Sequence, residues 1–258
     1  MTFAAGLACN NIKPIVAIYS TFLQRAYDQL IHDVVVQDLD MLLAIDRAGI
    51  VGADGETHQG IYDISFLRVL PKIVIMTPSD ESEMVKMLTT GYNHNGLAAV
   101  RYPRGNITGV EFKNEFSKLI NIGKAKWIRK GVDIAYFVFG TMLSSIKKVA
   151  ESNNATIIDM RFVKPIDEDV IVEVCNTHRF VFTVEDNTIL GGAGSAVNEV
   201  LVKYGINKIV KNLGVPDETI SHGNQNDILA SIGMDYNGIL GTTSNHIKFM
   251  EEYEKKVR

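Results

Sequence analysis

The sequence has little of what marks a secreted, metal-binding or membrane chain. Only two cysteines, Cys9 and Cys175, stand among its 258 residues. They lie far apart with no pairing pattern, which excludes a disulfide scaffold, gives no support for a zinc site and fits a reducing compartment. No apolar run approaches the roughly 18 residues that span a bilayer. The segment Met1–Ala8 has no basic residue ahead of its apolar ones, so it does not read as a secretory signal. It reads as the middle of a helix, as if the chain began inside an element. Charge of one sign is also scarce. Lys and Arg number 26 against 30 Asp and Glu, a net charge of -4, and nothing suggests a nucleic-acid surface. Low-complexity segments are absent as well. The expectation is a cytoplasmic chain with no membrane or nucleic-acid partner.

What is present is apolar patterning. The hydrophobic share is 46%, enough for one large core or two moderate ones. Apolar runs read as strands at residues 14–20, 41–45, 72–76 and 97–102, and again at 134–139, 156–160, 180–185 and 208–213. Between them, segments of helical period recur. Thr21 and Ser79 are placed to cap the helices over 21–37 and 79–92. Strands alternating with helices imply parallel sheets with right-handed crossovers. The fold class is therefore α/β, with two domains, each a mainly parallel sheet flanked by helices. Residues 1–106 form the first, 107–130 a polar linker with some extended structure, and 131–258 the second.

The stretch from Asp46 to Gly60, DRAGIVGADGETHQG, follows the buried run Met41–Ile45. Open α/β sheets place ligands where chain leaves a strand at its carboxyl end. A loop this long and polar is more than a connector. Its four glycines suit turns, and Arg47, Asp54 and His58 suit chemistry. His58 can shuttle protons near neutral pH, although a lone histidine also serves structure. Asp54 can orient it or meet substrate hydroxyls. Arg47 and Arg104 each follow a strand on the same sheet edge. Two converging guanidiniums suit a phosphate; ion pairs with Asp46, Asp54 or Glu56 are the alternative. Tyr19 ends the first strand. Phe22 reads as core by period alone, yet it shares a helix face with Arg25, and an aromatic plane beside a guanidinium suits a flat polar ligand. In the second half, Gly191–Ser195 opens a helix, where the glycines suit tight packing or a subunit interface. No set of metal ligands is found.

Six segments in order, VAIYSTFLQRAYDQLIHDV, AIDRAGIVGADGETHQGIYD, IMTPSDESE, AVRYPRGN, DMRFVKPID and VEDNTILGGAGSAVNEVL, resemble the 1-deoxy-D-xylulose-5-phosphate synthase family of the transketolase superfamily. The resemblance runs from Thr2 to about Pro216. It implies three α/β domains, of which this sequence matches most of the pyrimidine-binding domain and the whole transketolase C-terminal domain. The domain that holds the diphosphate and Mg2+ of thiamine diphosphate has no counterpart here. The family's activating glutamate precedes the TFAAG segment, and Met1 stands just before Thr2. The implied reaction is condensation of pyruvate with glyceraldehyde 3-phosphate to 1-deoxy-D-xylulose 5-phosphate and CO2, feeding isoprenoid, thiamine and pyridoxal synthesis. Phe22 would stack on the aminopyrimidine with Arg25 beside it. Arg47 and Arg104 would hold the substrate phosphate. Tyr19, Asp54 and His58 would face the substrates, Asp54 and His58 in catalytic roles. The resemblance further implies a homodimer, or a separate chain carrying the N-terminal domain, and a fragment inactive alone. Two other readings stand beside it: a β-type subunit of a two-chain thiamine-diphosphate enzyme, and a non-catalytic regulatory module.

Overall fold

The computed structural model describes residues 1–107, 109 and 118–257. Much of the expected linker, at 108 and 110–117, lies outside the described residues. The strands are β1 (Ile15–Tyr19), β2 (Met41–Asp46), β3 (Val74–Met76), β4 (Leu97–Arg101), β5 (Lys126–Arg129), β6 (Ile134–Val138), β7 (Thr156–Asp159), β8 (Phe162–Lys164), β9 (Phe180–Thr188) and β10 (Val210–Val215). They form two five-stranded sheets, ordered β1-β2-β4-β3-β8 and β10-β9-β6-β7-β5. Every pairing is parallel except β8 on β3 and β5 on β7. This is the expected class. Parallel strands are covered on both faces and read as unbroken apolar runs, and Met41–Ile45 is buried throughout. No helix of the described residues is long and apolar enough to cross a membrane.

Register fixes the site edge. Tyr19 pairs with Asp46 and Ile45 with Arg101. The carboxyl ends of β1, β2 and β4 therefore lie side by side, and the loops leaving them share one rim.

Three local expectations give way to other solutions. The expected regular helix over 21–37 is α-helical only at Ser20–Leu23 and Tyr27–Gln29, tightens to a 3-10 turn at Gln24–Ala26 and widens to π turns at Leu30–Val35. Leu23, Leu30 and Val34 still reach the core, whereas Phe22 is 45% exposed, so its period misplaces it. Thr21 is not the cap; its hydroxyl donates to Thr57 O at 2.8 Å. Ser79 is not a cap either. Asp80 caps the helix Glu81–Asn93 by accepting from Glu83 N at 2.8 Å, and Ser79 donates to buried Asp159 at 2.8 Å.

Strand β8 comes from the second half yet completes the first sheet, with Met76 paired to Phe162. Beside it, Arg161 O accepts from Thr77 N at 2.8 Å, and the Arg161 guanidinium reaches Glu83 at 2.9 Å. The apolar interior is continuous across this seam. One buried cluster joins Leu43, Ile45 and Ile75 to Phe137, Ile158 and Met160.

Candidate active site

The loop after β2 is fixed by backbone as much as by side chains. Arg47 takes a left-handed conformation, φ +56°, which returns its N–H to Asp46 Oδ1 at 2.7 Å. Gly49 and Gly60 pair across the loop's base, N–H to O at 2.6 and 2.9 Å. Gly60 has no room for a side chain, since a Cβ would stand 2.0 Å from Arg47 O. Between them, the turns Gly52–Asp54 and Glu56–His58 meet at Gly55, φ +86°. The second half supports this loop from below. Ile50 and Ile61 pack with Val215, Ile220 and Ile228, and Gln225 Nε2 donates to Ile50 O at 2.5 Å.

The structure brings six of the seven expected residues into one connected surface. Tyr19 and Phe22 stack at 5.3 Å and 12°. Phe22 meets His58 edge-on at 5.3 Å, and His58 Nδ1 shares a hydrogen with Thr57 Oγ1 at 3.0 Å. Arg47 lies over the Tyr19 ring at 3.9 Å. Its Nε donates to Asp54 Oδ2 at 3.1 Å and its Nη1 to Asp46 Oδ2 at 2.9 Å. Arg104 Nη1 lies 3.3 Å from Asp54 Oδ1. Asp54 thus engages the two arginines rather than His58. The guanidinium set on an aromatic plane is Arg47 on Tyr19. Arg25 is the seventh; it stands exposed on the turn Gln24–Ala26.

Behind this surface is a buried polar group that the sequence reading passed over. Arg101, 3% exposed, donates from Nε to Asp63 Oδ2 at 2.7 Å and from Nη2 to Asp63 Oδ1 at 3.2 Å. Its Nη1 donates to Asp186 Oδ1, and Nη2 to Gly60 O at 3.4 Å. Burial disfavours its charge, but Asp186 and Asp63 outweigh that and hold it firmly protonated. The available signal was one arginine closing an otherwise apolar strand, because a buried charge requires partners. Neighbouring Glu185 is fully buried. Its carboxyl oxygens accept from Ala193 N at 2.7 Å and Gly194 N at 2.8 Å, so the first N–H groups of the helix Ala193–Lys203 are satisfied from within the chain. Burial pushes Glu185 up to about 7, against those two donors and Arg101. The glycines here serve close packing: a Cβ on Gly192 would stand 2.3 Å from Glu185, and one on Gly194 2.5 Å from Thr183.

A flat heteroaromatic ring fits the exposed Phe22 face, the one large apolar ring that the site turns outward. Among the described residues, no three His, Cys, Asp or Glu side chains are grouped to hold a metal ion. The rim therefore offers an aromatic face and, among the described residues, no cluster that would seat a divalent cation.

Two family matches cover most of the chain. Residues 1–109 match the transketolase pyrimidine binding domain, and residues 123–239 match the transketolase C-terminal domain. Among curated proteins, the chain is 56% identical over 239 residues to the 1-deoxy-D-xylulose-5-phosphate synthase of Aeromonas hydrophila, covering 93% of this chain and 38% of the relative. It is 52% identical over 248 residues to that of Idiomarina loihiensis, covering 96% and 40%. The chain thus spans about two fifths of the curated relatives it matches. Of solved structures, one described as a split gene transketolase, inactive beta4 tetramer, superposes with a TM-score of 0.85 at 24% identity, covering 94% of this chain and 79% of that one. The transketolase of Campylobacter jejuni gives 0.69 at 17%, covering 93% and 37%. These two share the fold, with its two mainly parallel sheets. By both domain matches and by identity along nearly its whole length to 1-deoxy-D-xylulose-5-phosphate synthases, the chain belongs to the transketolase family.

Proposed function

We propose that this chain forms the ring-binding and substrate-facing half of a thiamine-diphosphate site that condenses pyruvate with glyceraldehyde 3-phosphate to 1-deoxy-D-xylulose 5-phosphate and CO2. One observation carries the reading: a single carboxylate, Asp54, is shared by Arg47 and Arg104 beside the Tyr19–Phe22–His58 corner. The likeness to the synthase relatives supports this choice of substrates.

In this reading Phe22 packs against the aminopyrimidine ring, with Arg25 at its edge. When bound, thiamine diphosphate supplies the nucleophilic carbon and the electron sink for decarboxylation. The chain's own residues bind, orient and move protons. Arg47 and Arg104 exchange Asp54 for the substrate phosphate, a dianion that both guanidiniums can grip by paired hydrogen bonds. Released Asp54 then faces the substrate hydroxyls. His58, edge-on to Phe22, gives or takes a proton at the carbonyl oxygen of the acceptor aldehyde. Tyr19, stacked between Arg47 and Phe22, sets the distance between the phosphate seat and the ring seat.

The diphosphate and Mg2+ would be held by residues beyond these 258, within a longer polypeptide, a homodimer or a separate chain. The split-gene neighbour, described as inactive as a β4 tetramer, supports the need for a complement. A cytoplasmic location follows from the same reading.

The test is a steady-state assay with pyruvate, glyceraldehyde 3-phosphate, thiamine diphosphate and Mg2+. We expect no turnover by the 258-residue chain alone, and turnover once a chain carrying the diphosphate-binding domain is added. In the complemented enzyme, Arg47→Ala and Arg104→Ala should raise KM for glyceraldehyde 3-phosphate at least tenfold and leave KM for pyruvate near its original value. A complex that ignores the phosphorylated aldehyde, or one in which these variants raise the pyruvate KM instead, would overturn the reading and favour a two-chain 2-oxo-acid enzyme.

A further inference from the structure

Asp186 reaches the site loop from the far half of the chain. Its Oδ1 accepts from Arg101 Nη1, and its carboxylate lies against Gly49, where a Cβ would stand 2.5 Å from Oδ2. Gly49 pairs with Gly60 through two backbone hydrogen bonds. Gly60 O accepts from Arg101 Nη2 at 3.4 Å. These contacts close a ring: Arg101, Asp186, Gly49, Gly60 and back to Arg101. All four residues are buried.

Arg47 hangs from this ring. Its carbonyl oxygen occupies the place a Gly60 side chain would need, and the pair Gly49–Gly60 begins two residues after it. Its φ of +56° is unfavourable for any residue with a Cβ. A strained conformation of that kind persists only where the surroundings over-determine it. Asp63 provides the contrast. It takes the other side of the same guanidinium, at 2.7 and 3.2 Å, and is as deeply buried. It is not among the atoms nearest Gly49, which all belong to Asp186.

We propose that Asp186 is a positioning residue: wedged between Arg101 and Gly49, it transmits the placement of the second sheet to Arg47 and so sets the anion seat. The inference rests on the reading of Arg47 as a phosphate anchor. It adds a reason why that seat needs the second domain at all.

The test uses NMR of the 258-residue chain. The Arg47 Nε–H signal, bonded to Asp54 at 3.1 Å, reports loop placement directly, and titration with inorganic phosphate reports the seat. Asp186→Ala and Asp63→Ala each remove one carboxylate from Arg101, so both should lower the thermal midpoint. Only Asp186→Ala should move the Arg47 signal toward that of a free guanidinium and weaken phosphate binding about tenfold, against less than twofold for Asp63→Ala. Asp186→Asn, which keeps the shape and an acceptor for Arg101, should restore affinity to within about twofold. If the alanine variant does not fold, Asp186→Ser serves, since its hydroxyl stands at the Cγ position and lacks the carboxylate oxygen that lies nearest Gly49. An unmoved Arg47 signal, or equal losses for the Asp186 and Asp63 variants, overturns the proposal. Failure of the unaltered chain to bind phosphate would instead sink the anchor reading, while the Arg47 signal still decides the positioning role.

Discussion

Arg47 and Arg104 hold opposite oxygens of one carboxylate, Asp54, at 3.1 and 3.3 Å. Two cations share one anion there, with Asp46 as a second partner for Arg47 alone. In the proposed reading, a substrate dianion takes the place of that carboxylate.

Removing Asp54 should therefore strengthen binding of a simple anion. We predict that Asp54→Ala tightens inorganic phosphate binding by about threefold to tenfold at low ionic strength, because two modest ion pairs no longer compete. The gain should shrink with added salt as screening sets in. Isothermal titration of the chain at two salt concentrations checks this. Weaker binding by Asp54→Ala would show that the carboxylate orders the guanidiniums rather than occupying their seat.

Phe22 should separate stability from ring binding. Nearly half of it is exposed, so truncation costs little packing. We predict that Phe22→Ala lowers unfolding stability by less than about 1 kcal/mol and weakens cofactor binding in the complemented enzyme by about tenfold, as expected for one lost aromatic stack. Phe22→Tyr should behave as the original. A large drop in the urea midpoint with unchanged cofactor affinity would return Phe22 to the core, where its period had placed it.

The same residue shows where sequence reading stops. Parallel strands announce themselves as apolar runs, and β2, β4, β6 and β9 could be read off directly. Helical period predicts which side chains face inward only while the pitch is constant. The changes from α to 3-10 to π turns between Ser20 and Val35 rotate the face, and spacing cannot show that. Strand β8 is three residues long and belongs to the other half's sheet, so neither length nor local pattern reveals it. That Tyr19, Arg47, Asp54, His58 and Arg104 gather on one rim was legible because each lies at or after the carboxyl end of a strand in one parallel sheet; the ion pairs of Arg47 and Arg104 with Asp46 and Asp54 are the alternative that the spacing left open. Asp186 was not, because its role depends on Gly49, which is 137 positions away (186 − 49).

Arg101 should be costly to remove. With Arg101→Met, Asp63 at 0% and Asp186 at 8% exposure would stay buried without their cation. Breaking a buried pair from one side costs about 3–5 kcal/mol, and we predict a loss in that range by urea denaturation. Adding Asp63→Asn to Arg101→Met should recover part of it, since the stranded charge is then gone. A loss under about 1 kcal/mol would mean that water replaces the guanidinium, and that the seam between the halves is held by its apolar cluster alone.

Glu185 predicts a stability that falls with rising pH. Its carboxyl is raised from an ordinary 4.5 to about 7 by burial, against the Ala193 and Gly194 donors. A group raised in the folded state binds its proton more tightly there than in the unfolded chain. Its contribution is therefore complete below about pH 4.5 and is lost as pH climbs through 7. Asp159, raised by burial from 3.8 to about 6, acts in the same direction at lower pH. From about pH 5.5 to about pH 8, the Glu185 part amounts to about 2 kcal/mol. Glu185→Gln keeps an acceptor for the helix N-terminus and cannot ionise, so it should remove that part of the slope while leaving the Asp159 part. Urea denaturation of both chains at the two pH values gives the comparison. An equal slope in both would mean that Glu185 is already ionised across the range, held as the anion by Ala193, Gly194 and Arg101.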